Sequence, residues 1–204
     1  GRIRRNLMGK RVEYMIRSVI TGDSRLKLDE IGIPLMHAQN LEIPETVTSK
    51  NKDRLNTYFI NKTDRYPGCK RITKKSDGHL YRIDILNKDY QLQLGDIVHR
   101  DMINGDVVAF NRQPSLLFSN IVGMRAVIMH DALTLRFNPA VCNYFNADYD
   151  GDQMNAIIIC SIAGRNECAT IMKLSRYFIS PQNQAPLCGA FQDGLIGLAE
   201  ITKY

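Results

Sequence analysis

Residues 141–160 read VCNYFNADYDGDQMNAIIIC, a short acidic stretch between two apolar runs. Its three aspartates stand two positions apart: Asp148, Asp150 and Asp152. On an extended or tightly turned backbone, side chains two positions apart point the same way, so these carboxylates converge. The apolar runs 141–145 and 156–160 predict that core strands hold the bend on both sides.

The converging carboxylates predict a metal site. Three anions close together repel one another and raise each other's pKa, and a hard divalent cation removes that penalty. Oxygen ligands without a neighbouring histidine or cysteine favour Mg²⁺, Mn²⁺ or Ca²⁺, so we predict no zinc in this chain. Gly151 allows the backbone to bend between the second and third aspartates.

A calcium loop of the EF-hand type does not fit this stretch. Counted from Asn146, the twelfth position is Ile157, where a bidentate glutamate is required. Counted from Asp148, Gln153 stands where glycine is required. An exposed acidic turn that binds no metal is the alternative that the residues leave open.

A second candidate segment, FNRQPSL, covers residues 110–116 directly after a strand-like run. Pro114 fixes its own φ and drives Gln113 toward an extended conformation, which makes a rigid elbow. On such an elbow, Arg112 could hold a phosphate or a ribose hydroxyl in a fixed geometry. A salt bridge between Arg112 and a nearby acid is the equally simple alternative.

The basic residues are concentrated in two segments of a chain whose formal net charge is +6. Residues 1–27 contain eight basic and two acidic side chains, and residues 50–75 contain nine and two. Such segments favour a polyanion as partner. In residues 1–27 the arginines alternate with apolar residues that we expect to anchor them, which favours phosphate binding. Residues 50–75 fit a solvated lysine face as well as a nucleic-acid contact.

The composition is that of an ordinary folded chain of 204 residues, with 44% hydrophobic and 24% charged residues. It contains no apolar run as long as a membrane helix needs, and it does not open with a signal-peptide pattern. The five cysteines are an odd number and none forms a CxxC pair. They argue against a disulfide framework and indicate a reducing compartment.

Short strand-like runs separated by turn residues occupy the centre of the sequence. They lie at residues 80–86, 106–110, 124–129, 133–137 and 156–160. Their close spacing favours a small barrel over a sandwich. Helices are predicted after a cap at Pro44–Thr46, with Leu55, Tyr58 and Phe59 on the apolar side, and over most of residues 164–204. Because the chain starts at Gly1 and stops at Tyr204 in the middle of a predicted helix, we expect it to be a piece of a larger protein.

Several motifs together resemble the largest subunit of multi-subunit DNA-dependent RNA polymerases. Residues 146–152, NADYDGD, are similar to that subunit's NADFDGD active-site loop, and residues 112–116, RQPSL, to its RQPSLH element. Residues 1–12, GRIRRNLMGKRV, resemble its GRxRxNLMGKRV stretch. Further landmarks match in the same order at residues 95–98, 105–108, 180–183 and 192–193.

The resemblance covers nearly the whole chain, and its details are closest to the eukaryotic and archaeal branch. Three departures stand out: Tyr149 replaces the usual phenylalanine, Leu117 the usual histidine, and Met15-Ile16 a Ser-Ala pair. They are compatible with a viral or otherwise diverged enzyme.

The resemblance implies an α+β fold, with a double-psi β-barrel core and helical flanking segments, cut from a larger chain. It divides the sequence into a basic template-contacting segment (1–27), a barrel domain (28–163) and the helical start of a pore-type region (164–204). The barrel domain is expected to carry a helical and loop insertion at about residues 44–80.

For function, the resemblance implies nucleotidyl transfer from NTP to the RNA 3′ end in an assembled multi-subunit enzyme. Asp148, Asp150 and Asp152 then hold one tightly bound Mg²⁺, and a second Mg²⁺ arrives with the NTP. Asn146 and Arg112 read the ribose hydroxyls of the incoming nucleotide. The residues expected to contact template-strand phosphates are Arg2, Arg4, Lys10, Arg11 and Arg17.

The implied partners are template DNA, the RNA 3′ end, NTP, the second-largest polymerase subunit and further subunits, without a membrane. The implied setting is intracellular: nucleus, cytoplasm or, for a viral enzyme, the virion. Two alternatives remain: a non-catalytic nucleic-acid-binding scaffold and a metal-dependent nuclease. Nucleases usually add a histidine, glutamate or lysine near the metal, and none of the four histidines lies near the acidic loop in the sequence.

Overall fold

The computed structural model of the chain describes residues 1–9, 12–86, 90–116, 120–180, 184–190 and 193–203. The strands in these ranges are β1 (Met15–Gly22), β2 (Glu30–Pro34), β3 (Glu42–Thr46), β4 (Cys69–Thr73), β5 (Leu80–Arg82), β6 (Ile97–Asp101), β7 (Val107–Asn111), β8 (Ile121–Met129), β9 (Leu135–Phe137) and β10 (Gln153–Ile158). The α-helices are α1 (Leu35–Asn40), α2 (Lys52–Asn61), α3 (Cys142–Phe145), α4 (Ile162–Thr170) and α5 (Asp193–Ile201).

Six strands close into a barrel in the order β1-β10-β7-β8-β2-β9. The pairs β1–β9 and β2–β8 are parallel and the other pairs are antiparallel. Three aromatic rings pack edge to face in the barrel core, with centroids 5.3–5.9 Å apart: Phe110, Phe137 and Phe145. The closed barrel with flanking helices confirms the α+β class and the double-psi barrel core that the resemblance implied.

A second, four-stranded sheet has the order β3-β6-β4-β5. It has its own apolar cluster, in which Leu55 of α2 packs with Ile72 and Val98 from the sheet. The sheet draws on residues 42–101, a wider range than the insertion expected at about 44–80. The difference arises because strand β6, which pairs with both β3 and β4, follows the predicted end of the insertion.

The barrel begins inside the segment that we assigned to template contacts. Strand β1 pairs with β10 and with β9, so the barrel starts at Met15 and not at residue 28. Ile16 and Ile20 point into the core, while Arg17 and Val19 on the alternate face are exposed. The outward arginine made this strand look like part of a basic segment.

The helix cap expected in the N-terminal half is wrong. The proposed helix cap at Pro44–Thr46 lies in strand β3, and α2 begins at Lys52. Proline is tolerated there because β3 is an edge strand, where its missing N–H breaks no ladder bond. The buried position of Leu55 on α2 was predicted correctly.

The apolar residues that were expected to anchor the N-terminal arginines do not do so. Residues 3–7 form a single π-helical turn without a buried residue, and Ile3, Leu7 and Met8 are each at least 70% exposed. Val12 is also exposed, and of the apolar residues that alternate with these arginines only Ile16, which lies in the barrel strand, is buried.

The helical C-terminal region begins where the last barrel strand ends. Ser161 caps α4 by accepting a hydrogen bond from the Gly164 amide at 3.1 Å. A Cβ on Gly123 of β8 would lie 2.0 Å from the Cys168 carbonyl oxygen of α4, so glycine allows the helix to approach the barrel. In the described part of the chain, no helix is both long enough and apolar enough to cross a membrane.

Candidate metal centre

The acidic loop leaves the core at helix α3. This helix ends at Asn146, which adopts the left-handed conformation (φ 48°, ψ 45°) that a short polar side chain tolerates. The next amide, of Ala147, donates to the Cys142 carbonyl at 3.1 Å, and Ala147 is buried. The loop is therefore anchored on its N-terminal side before the first aspartate.

The loop returns to the core through Asp152 and strand β10. The Asp152 carbonyl accepts a hydrogen bond from the Ile20 amide of β1 at 3.0 Å. Gly151 has φ +122°, a backbone conformation that side chains disfavour, and this turn directs Asp152 toward the barrel. Core strands were predicted on both sides of the loop, and this is correct for β10 on the C-terminal side. On the N-terminal side the prediction is wrong, because the apolar run 141–145 forms helix α3 and not a strand.

The three aspartates of the loop converge. Asp148, Asp150 and Asp152 each offer one carboxylate oxygen, and these oxygens all lie within 4.8 Å of one another. Asp148 and Asp150 are exposed and Asp152 is half-buried. The common focus predicted from their i, i+2, i+4 spacing is thus confirmed. Among the described residues this group contains no histidine or cysteine.

The charges within the cluster affect its members unequally. Asp150 has the largest effect on Asp148 and Asp152 a smaller one, and both raise the pKa of Asp148 above its usual value. A proton on Asp148 relieves the repulsion between the carboxylates and can be hydrogen-bonded to Asp150. The pKa of Asp152 is lowered, chiefly because Arg112 donates a hydrogen bond to its carboxylate. The Asp148 amide also donates to Asp152 Oδ2, at 3.2 Å.

The geometry and donor set fit a hard divalent cation. Mg²⁺ binds six oxygens at about 2.0–2.1 Å, so opposite ligands lie about 4.2 Å apart and adjacent ones about 2.9 Å apart. Oxygens within 4.8 Å of one another reach those separations by small side-chain rotations. Arg112 and the Asp148 amide occupy Oδ2 of Asp152, which leaves Oδ1 for a metal.

Arg112 belongs to the same site. It follows the last residue of β7, and its Nε donates to Asp152 Oδ2 at 2.9 Å. The salt bridge that we considered as an alternative role therefore exists, and its partner is one of the clustered aspartates. Among the described residues, the two terminal nitrogens of this guanidinium have no hydrogen-bond partner, so they remain able to bind a ligand.

Arg17, on the neighbouring strand β1, lies close to the ion pair of Arg112 and Asp152 and contacts the residue that follows each of them. Its Nε donates to Gln153 Oε1 at 3.0 Å, and Nη1 to Gln113 Oε1 at 3.4 Å. Sequence reasoning named Arg17 but missed both glutamines. Their positions, directly after Asp152 and Arg112, were the available signal.

The other residues predicted for the site make no hydrogen bond or ion pair with the three aspartates in the part of the chain that the structure describes. Asn146 has an exposed side chain two positions before Asp148. Arg2 and Arg4 lie in the exposed N-terminal turn. Lys10, Arg11 and Leu117 fall outside the described residues.

Tyr149 faces the opposite way from the aspartates. Its ring packs on Phe137 with centroids 5.8 Å apart, and a Cβ on Gly22 would lie 3.2 Å from it. The aromatic residue between the first two aspartates is therefore a core anchor, and tyrosine keeps that packing in place of phenylalanine.

Comparison with known proteins identifies the family of these features. Residues 9–174 match the family model described as RNA polymerase Rpb1, domain 2. The chain is 40% identical, over its whole length, to the DNA-directed RNA polymerase RPB1 homolog of African swine fever virus, and covers 14% of that protein. It is 41% identical to DNA-directed RNA polymerase subunit 1 of Acanthamoeba polyphaga mimivirus, over 97% of the chain and 14% of that protein. It is also 41% identical, over its whole length, to the DNA-directed RNA polymerase III subunit rpc1 of Dictyostelium discoideum, again covering 14% of the relative.

Proposed function

The chain belongs to the family of RNA polymerase largest subunits, within Rpb1 domain 2, and on this premise we propose that it carries the catalytic metal loop of a DNA-directed RNA polymerase. The reaction is nucleotidyl transfer from NTP to the RNA 3′ end. The chain spans about one seventh of the length of the relatives named above, so it acts as part of a larger, multi-subunit enzyme.

The convergence of the three aspartates carries this proposal. Their oxygens share one focus within 4.8 Å, on a loop that is held by helix α3 at its N-terminal end and by barrel strands at its C-terminal end. Three converging carboxylates without a cation are costly, whereas a divalent ion makes the same arrangement favourable. Asp148, Asp150 and Asp152 would hold Mg²⁺. When bound, this ion and a second one entering with the NTP lower the pKa of the attacking hydroxyl and stabilise charge on the phosphate.

Arg112 has two roles in the proposed site. Its Nε holds Asp152 in one orientation, and the ion pair offsets one of the three negative charges. Its terminal nitrogens then offer donors beside the cluster, where the ribose of an incoming nucleotide would lie. Asn146, exposed at the start of the loop, would supply a second polar group to the sugar hydroxyls.

The basic residues would guide the nucleic acid. Arg17 connects the metal site to the exposed face of β1 through Gln153 and Gln113, and we propose it as a phosphate contact. The exposed Arg2 and Arg4 extend the positive charge toward the N-terminus. Lys10 and Arg11 are proposed as template contacts from the sequence motif alone. The partners in this proposal are template DNA, the RNA 3′ end, NTP, the second-largest subunit and further subunits, in an intracellular setting.

Substitution of Asp150 tests the function. We expect Asp150→Ala in the assembled polymerase to reduce Mg²⁺-dependent extension of an RNA primer by several orders of magnitude, because charge stabilisation and positioning supply most of the rate. Binding to a template–primer duplex should persist. The exposed Asp131, which lies outside the loop, provides the matched control Asp131→Ala. Near-normal extension by Asp150→Ala would falsify the assignment.

The two alternative functions make different predictions in the same assay. A non-catalytic scaffold binds nucleic acid but extends no primer, with or without Mg²⁺. A nuclease shortens the RNA without added NTP, and its products do not become longer when NTP is supplied.

A further inference from the structure

A cleft of about 620 Å³ lies where the second sheet meets helix α4. One wall is formed by β3, β6 and the first turn of α2, and the other by residues 160–166 at the start of α4. None of the three clustered aspartates lines it. This cleft is separate from the proposed metal site and has no role in the function proposed above.

Positive charge predominates among the residues that line the cleft. Arg54, Arg100 and Arg165 face a single acidic residue, Glu45. The Glu45 carboxylate already accepts hydrogen bonds from Arg54 and, at 2.6 Å, from Arg100 Nε. Arg100 is paired a second time, with Asp106 at 2.7 Å. Glu45 is therefore shared by two arginines and does not neutralise the third.

Arg165 is held in place by neutral groups. Its Nη2 donates to the carbonyl oxygen of Pro44 at 3.2 Å and to that of Cys160 at 3.3 Å. Its Nε is buried and has no hydrogen-bond partner among the described residues, and no carboxylate in that part of the chain forms an ion pair with it. A half-buried guanidinium whose charge is not offset favours the approach of an anionic group.

We propose that this cleft receives an acidic side chain from another subunit of the assembled enzyme. Nη1 of Arg165 has no hydrogen-bond partner among the described residues and is not buried, so it can donate to a carboxylate oxygen. The exposed Ile162 and the neighbouring Ile97 offer apolar contacts for residues beside that acid. A nucleic-acid backbone fits less well, because it requires a row of unpaired cations and would approach Glu45. The inference rests on one part of the proposed function, namely that the chain belongs to an enzyme with further subunits.

Photo-crosslinking in the purified, assembled polymerase tests the inference. Asn166 lines the cleft and is exposed, so it can be replaced by a photoreactive phenylalanine. We expect a crosslink to a peptide of another subunit that contains Asp or Glu. Adding Arg165→Glu should lower the crosslink yield by about tenfold, because like charges then meet in the cleft. Arg165→Lys should keep most of the yield, and Arg176→Glu, an exposed control outside the cleft, should leave it unchanged.

A charge swap covers the case in which Arg165→Glu weakens assembly. Replacing the acid of the crosslinked peptide by arginine should restore crosslinking to the Arg165→Glu chain, and failure to restore it contradicts the inference. Crosslinks to nucleic acid only, to a peptide without an acid, or to no polypeptide also contradict it. Primer extension by the same preparation tests the proposed function separately, so that either proposal can fail while the other stands.

Discussion

At the scale of single residues, Arg112 combines a structural role with a proposed role in substrate selection. Its Nε stabilises the ionised form of Asp152, and its terminal nitrogens are left for a ligand. The sequence alone indicated either a ligand contact or a salt bridge. The structure shows the salt bridge and leaves room for the contact, because a guanidinium has donors on more than one side.

Substitution of Arg112 should therefore weaken sugar discrimination. We expect Arg112→Ala to lower the ratio of NTP to dNTP incorporation efficiency by about tenfold or more, since a hydrogen bond to a charged group contributes roughly 1.5–3 kcal/mol. Asn146→Ala should act in the same direction with a smaller effect. Single-nucleotide incorporation by the assembled enzyme measures the ratio, with Arg125→Ala as an exposed control on β8. An unchanged ratio in both variants rules out the sugar-reading role.

Asp101 shows the effect of burial on a carboxylate far from the metal loop. It is 5% exposed, Oδ2 accepts from the Gly68 amide at 3.0 Å, and Oδ1 has no partner among the described residues. Burial is the main reason that its pKa is raised to about 6. Because the folded state binds this proton more tightly than the unfolded chain, ionised Asp101 destabilises the fold above pH 6.

The sign of this shift predicts a stability gain on acidification. Asp101 should add on the order of 2 kcal/mol to the free energy of unfolding as the pH falls from about 6 to 3.8, the ordinary pKa of an aspartate. Asp101→Asn should remove that gain, whereas Asp131→Asn at an exposed position should keep it. Urea denaturation at pH 5 and pH 8 measures the difference, and equal pH dependence in the wild type and Asp101→Asn contradicts the prediction.

At the scale of elements, the metal loop depends on how its two ends are held. Helix α3 ends at a left-handed Asn146, and β10 begins after Gly151, whose φ is +122°. Three aspartates at alternating positions converge because this backbone turns sharply between fixed ends. Periodicity in the sequence indicated the bend, but the pairing of β10 between β1 and β7 positions it.

Gly151→Ala should destabilise the backbone conformation of the metal loop without causing a steric clash. A Cβ there meets no atom within 4 Å, so the expected cost of roughly 1–3 kcal/mol comes from the backbone conformation alone. We expect Gly151→Ala to weaken Mg²⁺ binding and to raise the Mg²⁺ concentration needed for half-maximal primer extension. Gly194→Ala in helix α5 is the matched control, because it also meets no atom and lies in a helix. Unchanged Mg²⁺ dependence of Gly151→Ala would show that the loop does not need this turn.

At the scale of the whole molecule, two apolar clusters are joined by a buried ion network. Arg100 of β6 is 4% exposed at its side chain and pairs with Glu45 of β3 and with Asp106 before β7. It therefore connects the second sheet to the barrel. This network was not predicted, because Glu45 lies 55 positions before Arg100 and only the folded chain brings the two together.

Replacement of Arg100 should weaken the connection between the second sheet and the barrel and destabilise the fold. Arg100→Ala removes the cation that is paired with Asp106 and one of the two arginines that are paired with Glu45, so we expect a loss of about 3–5 kcal/mol in the free energy of unfolding. Arg82→Ala breaks an ion pair whose side chains are 70% and 52% exposed, and should cost about 1 kcal/mol or less. Guanidinium denaturation followed by circular dichroism measures both, and equal losses contradict the prediction.

The sequence by itself determined the local chemistry: the three acids at alternating positions, the elbow at Arg112, the strand-like runs and the family motifs. These features depend on residue type and on spacing over a few positions, and local backbone geometry converts them directly into side-chain direction. Only the tertiary structure decided that β1 lies within the basic segment, that Arg112 and Arg17 meet the loop, and that Arg165 lies in a cleft where no carboxylate of the described residues forms an ion pair with it. Such contacts join residues separated by up to about 140 positions, and they arise from the closure of the barrel rather than from any pattern along the chain.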